Sequence, residues 1–267
     1  MTALRESIEL EGVVLRQYEC GADDMKLCLF TDRLGKIMVY AKGIKSSKNK
    51  NHGPTLTFCY SDFQIITTKD GGYQLCSAHT KQYFMSVAQS VEAVALASYF
   101  CQCISCTFPE KNPDINALSL LLNSLYALSV PGFRPLSQIK GSFEFMLCKI
   151  LGFCPDLFEC AVCGNDKEEK KDYVFSFEAC GLVCNDCAKE NDLLLQTRAF
   201  YLSYPVVCAL RFVALANTKK FLSFNLQEQN LEEFENFCER YFLSVADYRF
   251  DTLLYYKSLK RSYEPYN

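Results

Sequence analysis

Apolar and polar positions alternate along residues 7–80 in the pattern that is typical of β-strands. Short runs rich in Val, Ile, Leu, Tyr, Phe and Thr are separated by turn-forming stretches such as CGADD, RLGK and KDGG. The strand-like runs are GVVLRQY, MKLCLFT, KIMVYAKG, TLTFCYSDFQIITT and YQLCSAH. Because closing a small sheet removes its exposed edges, five such strands predict a small β-barrel.

After Thr80 the apolar residues recur three and four positions apart, which is the spacing of amphipathic or buried helices. No flexible linker lies at the transition around 78–85, so we expect the two parts to pack firmly together. The predicted fold class is therefore α+β, with a β-barrel domain at 1–80 and a helical domain at 81–267. The predicted helical segments are 82–107, 115–129, 136–151, 192–215 and 231–246.

A segment with paired cysteines, 159–191, is inserted in the helical part. It contains two Cys-x-x-Cys pairs, with twenty residues between Cys163 and Cys184. Two residues between ligands let one tight turn present both sulfurs to the same metal, and a short hairpin at YVFSF brings the second turn opposite the first. Four thiolates leave no open coordination position, so this spacing predicts one structural Zn²⁺ per chain. The predicted ligands are Cys160, Cys163, Cys184 and Cys187.

The other cysteines bear on the redox state of the chain. There are 16 cysteines, a number that would indicate disulfides in a short secreted protein. The first residues, MTALRESIELEG, lack the apolar stretch of a signal peptide, and no apolar run reaches the length of a membrane span. We therefore expect a cytoplasmic protein with reduced thiols.

Two alternatives to the predicted zinc site stay open. The four thiols could lie together without a metal, or Cys180 could replace one of the four ligands.

The motifs of common catalytic sites are missing from the sequence. No His-x-Glu motif accompanies the cysteine pairs as a zinc deaminase requires, and neither a phosphate-binding Gly-rich loop nor Gly-x-Ser-x-Gly occurs. The two histidines are His52 and His79, and the adjacent Asp23 and Asp24 fit a solvated turn. We therefore expect a binding protein rather than an enzyme.

The chain is acidic as a whole but basic in one stretch. The net charge of −3 and the isoelectric point near 5.6 exclude a uniformly basic coat that binds nucleic acid. Tyr40 and Tyr60 are candidates for stacking on bases, although both also fit half-buried strand positions. The basic stretch predicts a site for a polyanion, with an ordinary solvated loop as the alternative. Between Asp32 and Asp62 there is no acidic residue, and the positive residues are Arg33, Lys36, Lys42, Lys45, Lys48 and Lys50.

The order of these motifs along nearly the whole chain resembles the bacterial RecO family. The stretch EGVVLRQYECGADDMKLCLFTDRLGKIMVYAKGIKSSKNK is similar to the opening strands and the AKG element of that family. FEFMLCKILGFCPDLFECAVCG resembles its Phe-Glu helix, Leu-Gly-aromatic-x-Pro turn and first cysteine pair, and FSFEACGLVCNDC resembles the returning half. Cys180-Gly181 stands where the family tends to have Gly-Gly, which leaves the ligand question open. The resemblance implies an N-terminal OB-fold barrel and a helical domain with a zinc knuckle.

The resemblance also implies a function. A protein of this family is expected to be a non-enzymatic DNA repair and recombination mediator that binds single- and double-stranded DNA and anneals complementary strands. It is expected to help load a recombinase, indirectly RecA, in place of single-strand-binding protein. The implied partners are RecR and the acidic C-terminal tail of single-strand-binding protein, and the implied location is the bacterial cytoplasm, at the nucleoid during repair.

The implied site residues follow from the same motifs. The four paired cysteines match the zinc ligands of the family, and Arg16, Lys42 and Lys45 match basic positions of its pattern. The complete set of predicted DNA-binding residues is Arg16, Arg33, Lys36, Lys42, Lys45, Lys48 and Lys50.

A protein-interaction scaffold is the alternative function. In that case the helical domain and the zinc knuckle dock partners, and the lysines only make the barrel soluble. Basic residues on predicted helices are candidates for binding an acidic tail, and each also fits an ordinary surface charge. These residues are Lys140, Lys149, Arg198 and Arg211.

Overall fold

The chain folds into two compact units in the computed structural model. The first unit comprises Met1–Phe133 together with Arg249–Asn267, and the second comprises Arg134–Tyr248. The first unit therefore contains both the barrel and helices, and a domain boundary after residue 80 stays a prediction. The residues that the structure describes are 7–46, 48–165, 173–190 and 199–262.

Five strands of the first unit close into a barrel. They are β1 (Ser7–Glu19), β2 (Met25–Thr31), β3 (Gly35–Ala41), β4 (Tyr60–Thr67) and β5 (Tyr73–Gln82). The order around the barrel is β1-β2-β3-β5-β4, and β3 and β5 pair in parallel. Alternate residues such as Leu27, Leu29 and Val39 point into the barrel and are buried in its core. The prediction of an α+β fold that begins with a five-stranded barrel is confirmed.

Helices follow the barrel, as the apolar spacing predicts, but the first α-helix begins at Val91, so the predicted helix at 82–107 is wrong over 82–90. Ser90 and Asp114 begin the first two, because their side chains accept hydrogen bonds from the N–H groups of Ala93 and Ala117 at 3.2 and 2.8 Å. None of the helices in the described part of the chain combines the length and the hydropathy that crossing a membrane requires. The described helices are α1 (Val91–Thr107), α2 (Ile115–Ser129), α3 (Leu136–Ile150), α4 (Asn185–Glu190), α5 (Tyr204–Leu215), α6 (Glu228–Ala246) and α7 (Asp251–Ser262).

A small three-stranded sheet belongs to the second unit. Its strands are β6 (Tyr173–Ser176), β7 (Gly181–Val183) and β8 (Ala199–Leu202), in the order β7-β6-β8. The predicted helix at 192–215 is therefore wrong over β8, and its first residues, 192–198, lie outside the described residues. A short apolar run does not distinguish a strand from a buried helix, and α5 begins at Tyr204 with a proline in its first turn.

The hairpin between β2 and β3 contacts the connection between α1 and α2. Gly35 has φ +60°, and a Cβ atom there would lie 2.3 Å from the carbonyl oxygen of Asn112. The N–H group of Lys111 donates a hydrogen bond to the carbonyl of Lys36 at 3.1 Å. Glycine is required at the tip of this hairpin, because another side chain would push the barrel away from the helices of its own unit.

In the second unit α3 packs against α6 around a buried cation. Lys140 is 0% exposed, with its Nζ atom 3.0 Å from Oε1 of Glu144 and 2.8 Å from Oε2 of Glu239. Burial lowers the pKa of Lys140, but attraction to Glu144, Glu239 and Glu235 outweighs it and raises that pKa above its ordinary value. Lys140 is therefore a charged part of the core.

Candidate metal centre and nucleic-acid interface

The cysteine pairs lie on a turn and on the start of a helix that the β6–β7 hairpin brings together. The N–H group of Gly164 donates to the carbonyl of Cys160 at 2.9 Å, and Gly164 has φ +68°, so the first pair sits on a tight turn. The N–H group of Ala161 donates to the carbonyl of Leu182 at 2.8 Å, which places this turn beside β7. The second pair follows β7 directly, with Cys187 in the first turn of α4.

The four predicted ligands converge in space. The Sγ atoms of Cys160, Cys163, Cys184 and Cys187 all lie within 4.8 Å of one another. The Sγ atoms of Cys163 and Cys184 are 3.9 Å apart. Around a tetrahedral zinc with Zn–S bonds of about 2.3 Å, the sulfurs are about 3.8 Å apart. The donor set and the spacing therefore suit a metal ion with four thiolate ligands.

Backbone N–H groups prepare Cys160 to bind a cation. Burial raises the pKa of its thiol, but N–H donors of Cys163, Cys184 and Val162 outweigh burial and lower that pKa to about 6. One of these donors, the N–H group of Cys184, lies 3.3 Å from Sγ of Cys160. The thiolate is the form that binds metals, so this arrangement favours a ligand at neutral pH.

Cys180 lies outside this group of four sulfurs. It occupies the turn between β6 and β7 with φ +50°, where its Sγ atom donates to the carbonyl of Phe177 at 3.4 Å. The alternative in which Cys180 replaces a ligand is therefore disfavoured by the geometry of this hairpin.

The basic stretch forms an ordered loop at one end of the barrel. We call Lys42–Lys50 the lysine loop; Ser47 within it lies outside the described residues. Ile44 is buried in the barrel core, and its carbonyl lies 2.9 Å from Nδ1 of His52. The side chain of Asn49 donates to the carbonyl of Gly43 at 3.0 Å. These contacts fix the loop backbone while Lys42, Lys48 and Lys50 stay exposed.

Asp24 holds the lysine loop to the turn between β1 and β2. Its Oδ1 atom accepts a hydrogen bond from the N–H group of Gly43 at 2.7 Å, and its Oδ2 atom accepts one from the hydroxyl of Tyr40. The Tyr40 hydroxyl, the Gly43 N–H group and the nearby Lys42 and Lys45 lower the pKa of Asp24. Asp24 lies in the turn, as predicted, and in addition binds the lysine loop. The sequence does not show this contact, because it does not show which loop returns to the turn.

Strand register places two tyrosines and a lysine side by side on the outer face of the barrel. Tyr18 of β1 pairs with Lys26 of β2, and Lys26 pairs with Tyr40 of β3. Residues directly opposite in neighbouring strands share a face, so we call these three the aromatic row. Arg16 adjoins the row, with its guanidinium carbon 5.0 Å from the centre of the Tyr18 ring.

Two members of this row, Tyr18 and Lys26, are not among the residues that the sequence predicts to bind DNA. The side chain of Tyr18 is 41% exposed and that of Lys26 is also exposed, so both are accessible from solvent. The alternation along β1 and β2 places Arg16 with Tyr18 on one face, which is a signal present in the sequence. Which residue of β2 lies beside Tyr18 depends on the register, and a bulge between Val14 and Arg16 shifts it.

Arg33 and Lys36 lie away from the lysine loop. Arg33 is in the turn at the opposite end of β3, where its Nη1 atom donates to the carbonyl of Glu9 at 3.0 Å. A surface cavity beside it is also lined by the acidic side chains of Glu9, Glu11, Asp32 and Asp62. The Nζ atom of Lys36 donates to the carbonyl of Ser105 in α1. The positive residues that are close in sequence are thus divided between two ends of the barrel.

Tyr60 belongs to a different face from Tyr40. It lies on β4, where Nζ of Lys81 is 5.2 Å from the centre of its ring. Burial and a hydrogen bond with Glu11 raise the pKa of Tyr60 to about 12. The ring is therefore part of a polar network on the β1–β4–β5 side of the barrel, and it does not join the aromatic row.

Three of the four basic residues that are candidates for binding the acidic tail of a partner make contacts within the second unit. The fourth, Arg198, lies outside the described residues. Lys140 is buried among glutamates, and Nζ of Lys149 donates to the carbonyl of Ala216 at 2.7 Å. Arg211 donates through Nε to the carbonyl of Leu157 at 2.7 Å. These contacts give the three residues structural roles and correct the expectation of free surface charges.

The fold and these sites define a class of protein: an oligonucleotide-binding-type barrel followed by a helical unit with a four-cysteine group able to hold a metal. The sequence matches the family model described as Recombination protein O N terminal over residues 4–84. It matches the model described as Recombination protein O C terminal over residues 88–246. The chain therefore belongs to the recombination protein O (RecO) family, which confirms the resemblance and indicates a role in DNA repair and recombination.

Relatives named DNA repair protein RecO are similar to this chain over most of its length. The protein of Acetivibrio thermocellus is 28% identical over 254 residues, which cover 95% of this chain and 98% of the relative. The protein of Dehalococcoides mccartyi is 28% identical over 251 residues, with 94% and 95% covered. That of Caldicellulosiruptor saccharolyticus is 30% identical over 215 residues, with 80% and 82% covered.

Proposed function

We propose that this protein is a non-enzymatic mediator of DNA repair and recombination that holds DNA on the outer face of its barrel. The observation that carries the proposal is the aromatic row of Tyr18, Lys26 and Tyr40, with Arg16 beside it and the lysine loop at its end. Barrels of this type bind single strands by combining a positive groove with aromatic rings. The proposed ligands are single- and double-stranded DNA, and the place of action is the bacterial nucleoid.

The proposed contacts divide between phosphates and bases. Arg16, Lys26 and the exposed lysines of the lysine loop neutralise phosphates, and the counterions released from DNA drive binding. The rings of Tyr18 and Tyr40 stack on bases, which contributes about 1–3 kcal/mol per base irrespective of its identity. Binding is therefore independent of sequence and weakens with salt. DNA binding by Arg33 and Lys36 stays a prediction from the sequence and is not part of this proposed site, because their side chains bind backbone carbonyls elsewhere.

Annealing follows from the same contacts. A strand held with its charge partly neutralised repels a complementary strand less, and holding both strands raises their local concentration. No bond is made or broken in this step, so no nucleotide hydrolysis is needed. Membership of the RecO family supports the further proposal that RecR and the tail of single-strand-binding protein are partners in loading RecA.

We propose that the four-cysteine group holds one structural Zn²⁺. With four thiolate ligands the ion has no open position for water or substrate, so it supplies a cross-link rather than chemistry. It would join the Cys160–Gly164 turn to the start of α4 and so fix the β6–β7 hairpin.

Replacing the rings of the aromatic row tests the proposed site. We expect Tyr18→Ala and Tyr40→Ala each to weaken binding of a fluorescein-labelled oligothymidine by about fivefold or more, because each removes a stacking surface. Fluorescence anisotropy measures the affinity, and annealing of two complementary oligonucleotides should slow in parallel. Tyr201→Ala is the matched control, since Tyr201 is an exposed tyrosine of the second unit.

Two results would contradict the proposed site. One is a wild-type protein that does not bind the oligothymidine, which would favour the scaffold alternative. The other is a loss of affinity in the two row variants that is no greater than in Tyr201→Ala, which would show that the row is not the DNA site.

A further inference from the structure

Two carboxylates of the β1–β2 hairpin approach the same lysine loop in different ways. Asp24 contacts the loop through the Gly43 N–H group at 2.7 Å and also accepts a hydrogen bond from the hydroxyl of Tyr40 on β3. Glu19 contacts it through a side-chain ion pair, with Oε1 at 3.2 Å from Nζ of Lys45, and the Glu19 side chain is 79% exposed. The same hairpin therefore carries one acid bound to the backbone of the loop and one bound to a cation of the loop.

The contacts of Asp24 fix two features that the proposed site needs. Gly43 has φ +60°, and the hydrogen bond to Asp24 holds the loop in this left-handed turn directly after β3. The bond from the Tyr40 hydroxyl holds the ring of Tyr40 in one orientation on the outer face. Ordering a loop before a ligand arrives lowers the entropic cost of binding that ligand.

Glu19 does not order the lysine loop as Asp24 does, and it opposes the binding of a ligand there. An exposed ion pair is weak in water, so Glu19 adds little to the order of the loop. A phosphate that approaches Lys45 meets the Glu19 carboxylate on the same ammonium group, and repulsion between the two anions opposes its binding. Glu19 thus competes with DNA for Lys45.

We infer that Asp24 is a positioning residue that raises DNA affinity by ordering the lysine loop, whereas Glu19 lowers DNA affinity by occupying Lys45. This inference rests on the proposed DNA binding by the barrel. It opposes the expectation from charge alone, by which each acid near a DNA site repels phosphate and weakens binding. Replacement of Asp24 therefore tests the inference: a positioning role predicts weaker DNA binding by the variant, whereas charge alone predicts tighter binding.

The experiment compares the affinities of Asp24→Ala, Asp24→Asn and Glu19→Gln for a labelled oligothymidine by fluorescence anisotropy. Each substitution removes one negative charge from the same hairpin. We expect Asp24→Ala to bind about three- to tenfold more weakly than wild type, because the loop and Tyr40 each lose a hydrogen bond. Asp24→Asn should recover much of that loss, since its amide oxygen still accepts the Gly43 N–H group. Glu19→Gln should bind more tightly, by up to about fivefold.

A second measurement follows the loop without DNA. Amide hydrogen exchange at Gly43 should be faster in Asp24→Ala than in wild type and unchanged in Glu19→Gln. Equal or tighter DNA binding by Asp24→Ala, or weaker binding by Glu19→Gln, would overturn the inference while leaving DNA binding itself intact. Failure of the wild-type protein to bind the oligothymidine would instead overturn the proposed function on which the inference rests.

Discussion

At the scale of single residues, the environment of a charge decides its role more than its type does. Lys140 carries the same charge as the exposed lysines of the lysine loop, yet it is fully buried beside Glu144, Glu239 and Glu235. The spacing of apolar residues along α3 predicts the helix, but it does not show that α6 brings two more glutamates to the same lysine. Burial of a charge with its partners is a tertiary property.

Replacing Lys140 with methionine should destabilise the protein strongly. We expect Lys140→Met to lower the free energy of unfolding by about 3–5 kcal/mol, because it leaves buried carboxylates without their cation. Urea denaturation followed by circular dichroism measures this loss. The control Lys219→Met removes an exposed lysine and should change the free energy of unfolding by less than about 0.5 kcal/mol. A Lys140→Met variant as stable as this control would show that the buried cluster is not needed.

At the scale of secondary-structure elements, residues joined by a tight turn or a short hairpin are easier to place from the sequence than residues separated by a whole strand. The two Cys-x-x-Cys pairs predict the ligand group because a turn of two residues has few conformations, and the hairpin between the pairs is short. By contrast, Arg33 and Lys42 are close in sequence, but the seven residues of β3 separate their turns by roughly 20 Å. The aromatic row cannot be predicted from the sequence of one strand either, because it depends on the register in which three strands pair.

Removal of a single ligand should release the metal from the four-cysteine group. We expect purified wild-type protein to contain about one zinc ion per chain and Cys163→Ser to contain much less, because three thiolates hold zinc more weakly. Cys180→Ser is the matched control, since Cys180 lies four residues before Cys184 but outside the group, and it should keep its metal. Elemental analysis gives the metal content. Loss of zinc from Cys180→Ser but not from Cys163→Ser would contradict the ligand assignment.

At the scale of the whole molecule, a chain with a net charge of −3 presents its proposed DNA contacts on one local surface. The closed barrel places Arg16, Lys26 and the lysine loop on the side formed by β1, β2 and β3, and it leaves Glu9, Glu11 and Asp62 on the side formed by β1, β4 and β5. The sequence predicts both the barrel and the basic stretch. It does not predict this division into two faces, because the division follows from strand order and register.

The salt dependence of single-stranded DNA binding tests the central claim most directly. The variant with serine at Lys42, Lys45, Lys48 and Lys50 is compared with a control that carries serine at four exposed lysines outside the loop. The control positions are Lys189, Lys219, Lys220 and Lys260. Both variants change the net charge by four, from −3 to −7, so they differ only in where the charge is lost.

We expect the slope of log affinity against log salt concentration to become shallower by up to about 3 in the lysine-loop variant, because each phosphate contact on a single strand contributes about 0.7. The control should keep the wild-type slope. The same slope in wild type and in the lysine-loop variant, or an equal change in both variants, would contradict the claim that this loop binds DNA.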